Sequence, residues 1–330
     1  MEPLVSIIIP THNRPEILFS CAIKSVLNQT YKNWELIIID DGSTDNTSIL
    51  CQNLARDNEK IKYFFQENKG QGAARNNGIK KSIGDFVILL DSDDYLLSNM
   101  VSLMVKIISE KKYDVVYSRR WVFSYNKDIF DVNSPNPSCT IQKKELFNKF
   151  GYFDENPNIR GIEDTDLLIF WQIQENKLKE NIKYLYINPP LVVYLEHDNQ
   201  ETNHSDIKKL KIKTQSVIDK YLNNKLISNK EIASHVSLKY KELGNFNILL
   251  GDRKIGQINL IESIKKQTNL QAMLLLIISL FGKKIYANFV YVFKNFREKI
   301  IWKIRLNKAI KKYPELYKEA QLITSTYKNW

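Results

Sequence analysis

Three aspartates stand close together directly after an apolar run, and their type and spacing suit metal chemistry. Asp91, Asp93 and Asp94 follow the run Phe86–Leu90 (FVILL). Carboxylates one residue apart at a strand end can turn their oxygens toward one divalent cation, which keeps its other positions for phosphate oxygens and water. Hard oxygen ligands favour Mg²⁺ or Mn²⁺. A solvated turn before a helix is the alternative interpretation of the same pattern.

Polar residues also follow two earlier apolar runs. Val5–Pro10 and Trp34–Ile39 have the continuous apolar character of buried parallel strands. Ligands of doubly wound sheets bind beyond the carboxyl ends of such strands. An Asp after the second run could accept the N–H of a uracil-like ring, although a simple turn and helix cap would use the same residues. The candidate ligand contacts at these two strand ends are Pro10, Thr11, Asn13, Arg14, Asp40 and Asp41.

A glycine-rich stretch, Gly70-Gln71-Gly72-Ala73-Ala74-Arg75, precedes a predicted helix. It is only superficially similar to a dinucleotide-binding fingerprint, because Arg75 stands where the third Gly belongs and the stretch does not follow the first strand. A turn whose helix N-terminus and Arg75 face an anionic diphosphate explains it better. A glycine turn with a surface arginine is the alternative.

Apolar runs alternate with segments of helical spacing, and this order predicts an α/β fold with a mostly parallel central sheet flanked by helices. Helical spacing occurs between Pro15 and Leu27 and from Asp45 to about Arg56. The following half is less regular. Its predicted elements are a strand at 113–117, a helix at 142–150, a helix at 163–174 and a strand at 184–194.

Charge divides the 330 residues into two predicted domains, 1–205 and 206–330. The first carries 23 Lys+Arg against 28 Asp+Glu, and the second carries 25 against 9. The second part is predicted to be mainly α-helical and basic. Its most apolar run, Leu270–Phe281, is too short to span a bilayer, and residues 285–305 have the spacing of a basic amphipathic helix. This region is expected to contact either a membrane surface or another protein surface, including a second subunit.

The three cysteines, Cys21, Cys51 and Cys139, show no pairing or metal-binding pattern. A disulfide framework and a zinc site are therefore not expected, and a reducing compartment fits best. The sequence runs from Met1 into the first apolar run without a basic leader or a signal-length apolar stretch. A cytoplasmic location is the expectation.

Four motifs in order resemble those of the inverting family 2 glycosyltransferases of GT-A fold, of the bacterial surface-polysaccharide type. They are VSIIIPTHNR (5–14), DDGSTD (40–45), the Gly-rich segment ending in ARN (70–76), and DSDD (91–94). The resemblance covers roughly residues 4–200 and continues through GYFDE (151–155) and GIEDTDL (161–167). Each motif is modest alone, but their shared order and spacing make the resemblance specific.

The resemblance implies roles for particular residues. Asp164 matches the catalytic base, and Glu163 or Asp166 would hold the acceptor. Asp93 and Asp94, with His197, would bind Mn²⁺ or Mg²⁺, while Asp91 and Ser92 join the donor-binding residues named above, together with Gly70 and Arg75. Inversion at the anomeric carbon requires a carboxylate that deprotonates the attacking hydroxyl opposite the leaving diphosphate. The transition state has oxocarbenium character, as in glycoside hydrolysis.

The expected reaction moves a sugar from a nucleotide-sugar donor, UDP-linked by expectation, to a hydroxyl of a glycan acceptor that is expected to be lipid-linked. The protein would then work at the inner face of the cytoplasmic membrane, held peripherally. A non-catalytic sugar-nucleotide-binding protein of the same fold is one alternative. A nucleic-acid-binding protein using the basic half is a remote one, since no zinc-finger, KH or RNP signature occurs. No nucleic-acid partner is therefore expected. The missing Gly fingerprint after the first strand excludes a nicotinamide oxidoreductase.

Overall fold

The computed structural model describes residues 2–110, 113–124, 127–132, 136–196, 207–222 and 230–327. These residues form a sheet of nine strands with helices packed around it. The strands are β1 (Val5–Thr11), β2 (Trp34–Asp41), β3 (Ile61–Gln66), β4 (Phe86–Leu89), β5 (Asp94–Leu96), β6 (Val115–Ser124), β7 (Lys127–Val132), β8 (Thr140–Lys143) and β9 (Tyr184–Glu196).

The sheet has the order β3-β2-β1-β4-β8-β6-β9-β5, and β7 pairs with β6. Strands β3, β2, β1 and β4 are parallel, and β6 and β9 are parallel to each other. Strand β8 runs antiparallel to both β4 and β6, while β5 runs antiparallel to β9. The predicted α/β fold with a large central sheet is confirmed, and the carboxyl ends of β1, β2 and β4 meet at one edge as expected.

Burial explains why the first strands are almost wholly apolar. Every residue of β1 and β2 is buried, because helices cover both faces of this part of the sheet. Helix α4 (Gln71–Lys81) packs directly on β1 and β2. A side-chain carbon added at Gly78 would stand 2.3 Å from Cγ2 of Ile8, so only glycine allows this close approach.

The remaining helices surround the sheet or build the C-terminal region. Between β1 and β2, α1 (Pro15–Ile17) and α2 (Lys24–Leu27) are joined by a π-helical segment, Leu18–Ile23. The others are α3 (Thr47–Asp57), α5 (Met100–Ser109), α6 (Glu145–Phe150), α7 (Glu163–Leu178), α8 (Ile207–Leu222), α9 (Lys230–Leu250), α10 (Arg253–Lys266), α11 (Leu270–Ser279), α12 (Lys283–Lys312) and α13 (Pro314–Tyr327). Short 3₁₀ turns lie at Pro137–Cys139 and Pro157–Ile159.

The chain forms two compact units that are not contiguous in sequence. Unit 1 comprises Met1–Glu155, Glu180–Asp198 and Ile301–Trp330. In it, the Glu319 carboxylate of α13 accepts hydrogen bonds from the Ser98 backbone N–H at 2.8 Å and the Ser98 hydroxyl at 3.2 Å. Helix α13 thus belongs to unit 1 and contacts the segment that follows β5. The predicted domains 1–205 and 206–330 stay a prediction.

Unit 2 comprises Asn156–Lys179 and Asn199–Ile300, so α7 packs with the C-terminal helices. Its core includes Ile169 and Ile173 of α7, Val217 of α8, and Val236 and Leu243 of α9. None of the described helices combines the length and hydropathy needed to cross a bilayer.

Two local expectations differ from the structure. The helix expected over 142–150 begins only at Glu145, because Thr140–Lys143 extends the sheet as β8 between β4 and β6. Strand β3 was not anticipated, since Ile61–Gln66 (IKYFFQ) mixes charged and aromatic residues. Edge position explains this composition, because β3 ends the strand order and leaves several side chains partly exposed.

Candidate active site

The aspartates after β4 lie on one tight turn at the carboxyl edge of the sheet. The Leu90 N–H donates to the carbonyl of Ile8 at 2.9 Å, which holds the chain beside β1. The Asp94 N–H then donates to the Asp91 carbonyl at 3.1 Å, closing the turn before β5. Ser92, Asp93 and Asp94 are buried. The turn therefore concentrates three carboxylates in little space.

Asp91 is held by helix α4. Its Oδ1 accepts hydrogen bonds from the Arg75 guanidinium at 2.7 Å and from Nε2 of Gln71 at 2.9 Å. Its backbone N–H donates to the Ser138 hydroxyl at 3.0 Å. Arg75 is itself buried, so the ion pair with Asp91 is formed inside the protein. The Gly-rich segment thus reaches the aspartate turn through two side chains of its helix.

Asp93 connects the turn to the segment after β1. The Arg14 guanidinium donates to Asp93 Oδ2 at 3.2 Å. The thiol of Cys21, in the π-helical segment, donates to the Asp93 backbone carbonyl at 3.3 Å. π-Helical turns are frequent at functional sites. Arg14 and Asp93 belong to different sequence motifs, and this ion pair brings them together at the carboxyl edge of the sheet.

Asp94 is buried, and few neighbouring groups offset the cost of burying its carboxylate. Both carboxylate oxygens lack a hydrogen-bond partner among the described residues. Burial, followed by the charges of Asp91 and Asp93, raises the pKa of Asp94 well above its ordinary value. The nearby Ser138 hydroxyl and Arg120 guanidinium offset only part of this increase. A buried carboxylate without a partner is costly unless a cation approaches it.

The turn fits a cation that takes some of its ligands from a bound substrate. Across the described ranges, no group of three or more His, Cys, Asp and Glu side chains is arranged to hold a metal ion by itself. The unsatisfied oxygens of Asp94, next to Asp93, nevertheless supply the donor chemistry that Mg²⁺ and Mn²⁺ prefer. These residues suit an open metal site completed by phosphate oxygens.

Asp41, at the end of β2, organises the start of helix α4. Its Oδ2 accepts from the Gly70 N–H at 2.8 Å, and its Oδ1 accepts from the Lys69 N–H at 2.9 Å and from Nε2 of Gln66 at 2.8 Å. Gly70 has φ +91°, a conformation that favours glycine. Asp41 therefore fixes the Gly-rich turn. A direct contact with the donor stays a prediction.

Asp40 is similarly engaged. Its Oδ1 accepts from the Ser43 N–H at 2.8 Å and its Oδ2 from the Tyr63 hydroxyl at 2.8 Å, and the residue is buried. Burial, together with the neighbouring Asp40 carboxylate, raises the pKa of Tyr63. The geometry thus gives Asp40 a structural role in the turn after β2, and its predicted donor contact remains untested.

Asn13 joins the loops after β1 and β2. It has φ +50°, its N–H donates to the Ser43 hydroxyl at 2.9 Å, and its Oδ1 accepts the Thr44 N–H at 2.7 Å. Pro10 and Thr11 are the last two residues of β1 and are buried. The residues predicted to surround the nucleoside therefore lie on neighbouring strand ends.

Asn76 and Arg120 were not singled out from the sequence. Asn76 Nδ2 donates to the Phe153 carbonyl at 2.9 Å and to Glu155 Oε1 at 2.8 Å, and its Oδ1 accepts the Phe153 N–H at 3.0 Å. These bonds tie the ARN segment to the GYFDE segment. The Arg120 guanidinium lies 4.4 Å from the ring centroid of Tyr194. The family resemblance named both motifs, but nothing in the sequence indicated that they contact each other.

The second acidic cluster lies in unit 2, in the first turn of α7. Asp166 is buried, and its Oδ1 and Oδ2 accept from Lys220 Nζ at 2.9 and 2.7 Å. The Tyr221 hydroxyl also donates to its Oδ1 at 2.7 Å. Asp166 therefore attaches α7 to α8. Glu163 is buried and Asp164 is partly exposed. Their predicted roles, including acceptor binding by Asp166, stay predictions.

His197 lies outside the described residues. It comes directly after β9, which ends at Glu196. Strand β9 pairs with β5, and the partner of Asp94 is Tyr194.

The first half of the chain is similar to known proteins. Residues 6–169 match the family model for glycosyl transferase family 2. The chain is 44% identical over 110 residues to the GalNAc(5)-diNAcBac-PP-undecaprenol beta-1,3-glucosyltransferase of Campylobacter jejuni, a match that covers 33% of this chain and 35% of that protein. Three Rickettsia glycosyltransferases match 50% of this chain at 36–37% identity. The matched region is 26–29% of the length of those proteins.

Solved structures show the same fold. TarS residues 1–349 of S. aureus, in complex with UDP-GlcNAc, align with a TM-score of 0.60 and 17% identity, covering 89% of this chain and 92% of that one. The mannosyltransferase PcManGT of Pyrobaculum calidifontis, in complex with GDP-Man and Mn²⁺, aligns with a TM-score of 0.57 and 16% identity, covering 96% and 88%. With the matched domain and the strand-end carboxylates, they lead to one assignment: this chain belongs to glycosyl transferase family 2 and has the GT-A fold.

Proposed function

We propose that this protein transfers a sugar from a nucleotide-sugar donor to a hydroxyl of a glycan acceptor, with inversion at the anomeric carbon. The carboxylate turn at Asp91–Asp94 is the observation that carries the proposal. It lies at the ligand-binding edge of the sheet, inside the family 2 domain, with the arginines Arg14 and Arg75 bonded to it. Such a combination suits the binding of an anionic diphosphate beside a cation.

Asp93 and Asp94, with His197 by resemblance, would hold Mg²⁺ or Mn²⁺. The bound cation would neutralise negative charge on the departing diphosphate. The unpartnered oxygens of Asp94 support this assignment. Asp91 would contact the donor, held in place by Gln71 and Arg75.

Asp164 would act as the base. It would take the proton of the acceptor hydroxyl while that oxygen attacks the anomeric carbon and the bond to the nucleoside diphosphate breaks. Its partial exposure at the start of α7 is compatible with reaching a substrate. Glu163 or Asp166 would orient the acceptor, although the contacts of Asp166 with Lys220 and Tyr221 favour Glu163.

A UDP-sugar is the proposed donor and a lipid-linked glycan the proposed acceptor. The TarS complex contains UDP-GlcNAc, and the Campylobacter relative is named for an undecaprenol-linked glycan. The PcManGT complex contains GDP-Man instead, so the nucleotide needs a direct test. This reaction would occur on the cytoplasmic side of a membrane.

A panel of nucleotide sugars tests the proposal. The protein is incubated with each donor and Mn²⁺ or Mg²⁺, and release of nucleoside diphosphate is measured with and without a chelator. We expect slow hydrolysis of one UDP-sugar that the chelator abolishes. Tight binding of a UDP-sugar, without hydrolysis or transfer to any glycan acceptor, would instead indicate a non-catalytic binding protein.

A further inference from the structure

Helix α11 is apolar except at Gln271 and Ser279, and one of its faces is exposed. Ala272 and Ser279 are fully buried on the inner face, in a small core with Leu260 and Tyr286. The outer face continues through the turn that follows the helix and is 40–77% exposed. We call this outer face the α11 patch; it consists of Leu270, Met273, Leu274, Ile277, Leu280 and Phe281.

The patch has the regular spacing of one helix face. Positions 270, 273, 274 and 277 fall on one side of a helix with 3.6 residues per turn, and 280 and 281 extend the same side. A helix with so few polar residues normally lies in a protein core or in a membrane. At ten residues, α11 is about half the length needed to span a bilayer. Its geometry suits a helix lying in the plane of a membrane interface.

Basic residues stand at both ends of the patch. Lys265 and Lys266 end α10, and the exposed Lys283 and Lys284 begin α12 after the turn at Gly282. From residue 253 to residue 284 there are six basic residues and one acidic residue. An anionic surface would complement this charge.

We propose that the α11 patch seats this protein on an anionic lipid bilayer. The apolar side chains would enter the boundary between headgroups and acyl chains, and the flanking lysines would contact lipid phosphates. A second copy of the chain is a poorer occupant. A two-fold contact would place the lysines of one patch against those of the other, and like charges at an interface oppose binding. This inference rests on the proposed function in one respect, which is that seating on a membrane would bring the protein close to a lipid-linked acceptor.

Flotation with vesicles tests the proposal on the full chain. The vesicles contain phosphatidylcholine alone or phosphatidylcholine with phosphatidylglycerol. We expect flotation only with phosphatidylglycerol, and at least about a tenfold loss of binding in the double variant Ile277→Glu/Phe281→Glu. The matched control is Ile49→Glu/Ile83→Glu, at two similarly exposed isoleucines of unit 1 (63% and 69%), which should float like the unmodified protein. Equal flotation of the patch variant and the control would overturn the proposal.

A lysine variant provides a second test that leaves the apolar patch intact. Lys283→Gln/Lys284→Gln should weaken binding to phosphatidylglycerol vesicles severalfold, and added salt should produce a similar loss in the unmodified protein. Light scattering then examines self-association. A dimer that Ile277→Glu/Phe281→Glu converts to monomer would identify the patch as a subunit contact and refute membrane seating.

Donor hydrolysis in vesicle-free buffer separates this inference from the proposed function. The patch variant should hydrolyse the donor at the unmodified rate, because the patch side chains are exposed and α11 packs on α9 and α10. Absence of hydrolysis in the unmodified protein would count against the proposed function alone. Flotation that does not depend on phosphatidylglycerol would count against membrane seating alone.

Discussion

The aspartate turn of unit 1 and the first turn of α7 in unit 2 are both acidic, but their carboxylates have different surroundings. Asp94 and Asp166 are each 1% exposed. Asp166 has Lys220 and Tyr221 on its oxygens, whereas those of Asp94 have no hydrogen-bond partner among the described residues. Burial alone therefore does not separate structure from function. The hydrogen-bonded carboxylate of Asp166 holds α7 and α8 together, whereas the unpartnered carboxylate of Asp94 is the one we propose for cation binding.

The largest expected effect comes from Asp164, the member of the α7 cluster that is partly exposed. Asp164→Asn should lower transfer about a thousandfold, because amide cannot take the acceptor proton. Affinity for UDP should stay nearly unchanged. Steady-state transfer assays and calorimetric UDP titration measure the two effects. Asp252→Asn, at an exposed residue of unit 2 paired with Lys211, is the control. An active Asp164→Asn protein would move the base to another residue.

Asp94→Asn should lower activity about a hundredfold while leaving the free energy of unfolding unchanged or slightly higher. Activity should fall because the amide of Asn binds a cation more weakly than a carboxylate does. Stability should not fall because burying a carboxylate without hydrogen-bond partners opposes folding. Activity at several Mn²⁺ concentrations and urea denaturation without metal provide the comparison. Asp57→Asn, at an exposed residue of α3, should change neither quantity. Strong destabilisation by Asp94→Asn would mean that Asp94 resembles Asp166 after all.

Asp166→Asn should have the opposite profile. It removes a charge from a buried contact with Lys220 and Tyr221, so we expect a loss of about 2 kcal/mol in the stability of unit 2. The expected loss is smaller than that for a fully buried ion pair because the Lys220 side chain is partly exposed. Urea denaturation followed by far-ultraviolet circular dichroism measures the loss. If stability is retained and only the KM for acceptor rises, Asp166 binds the acceptor as the sequence suggested.

The smallest effect concerns a buried carboxylate of unit 1 that is fully satisfied. Burial tends to raise the pKa of Glu35, but hydrogen bonds from the Ile83 N–H, Lys62 and Ser6 outweigh it and the pKa lies below the ordinary 4.5. The unfolded chain therefore binds a proton more readily, and the stability from Glu35, present above pH 4.5, is lost as pH falls through the folded pKa.

Glu35→Gln should therefore cost about 1 kcal/mol at neutral pH and show a weaker loss of stability on acidification. Urea denaturation at neutral and acidic pH gives both values. The exposed Glu59→Gln serves as the control. Parallel acid dependence in Glu35→Gln and the unmodified protein would show that these hydrogen bonds do not lower the pKa of Glu35.

Much of the fold was predictable because the composition of some segments indicates how deeply they are buried. Val5–Pro10, Trp34–Ile39 and the run before Asp91 are apolar throughout, as strands buried on both faces must be. Strand β8 was not predictable, since Thr140–Lys143 is short and acquires its strand form from pairing with β4 and β6. The packing of α7 with the C-terminal helices depends on contacts far apart in sequence, such as Asp166 with Lys220.

The site was predictable in residue type and position but not in its internal bonding. Strand ends and the family resemblance indicated Asp91, Asp93, Arg14 and Arg75. That Arg75 binds Asp91, and Arg14 binds Asp93, follows from the meeting of β1, α4 and β4 at one edge, which spacing along the chain does not specify. The unsatisfied state of Asp94 is likewise visible only in three dimensions.

Calorimetric titration of UDP with and without Mn²⁺, in the unmodified protein and in Asp94→Asn, tests the proposal that the aspartate turn binds the donor diphosphate through a cation. Mn²⁺ should therefore tighten UDP binding to the unmodified protein at least about tenfold and should have little effect on Asp94→Asn. UDP affinity that is independent of Mn²⁺, or equally enhanced by Mn²⁺ in both proteins, would contradict the claim.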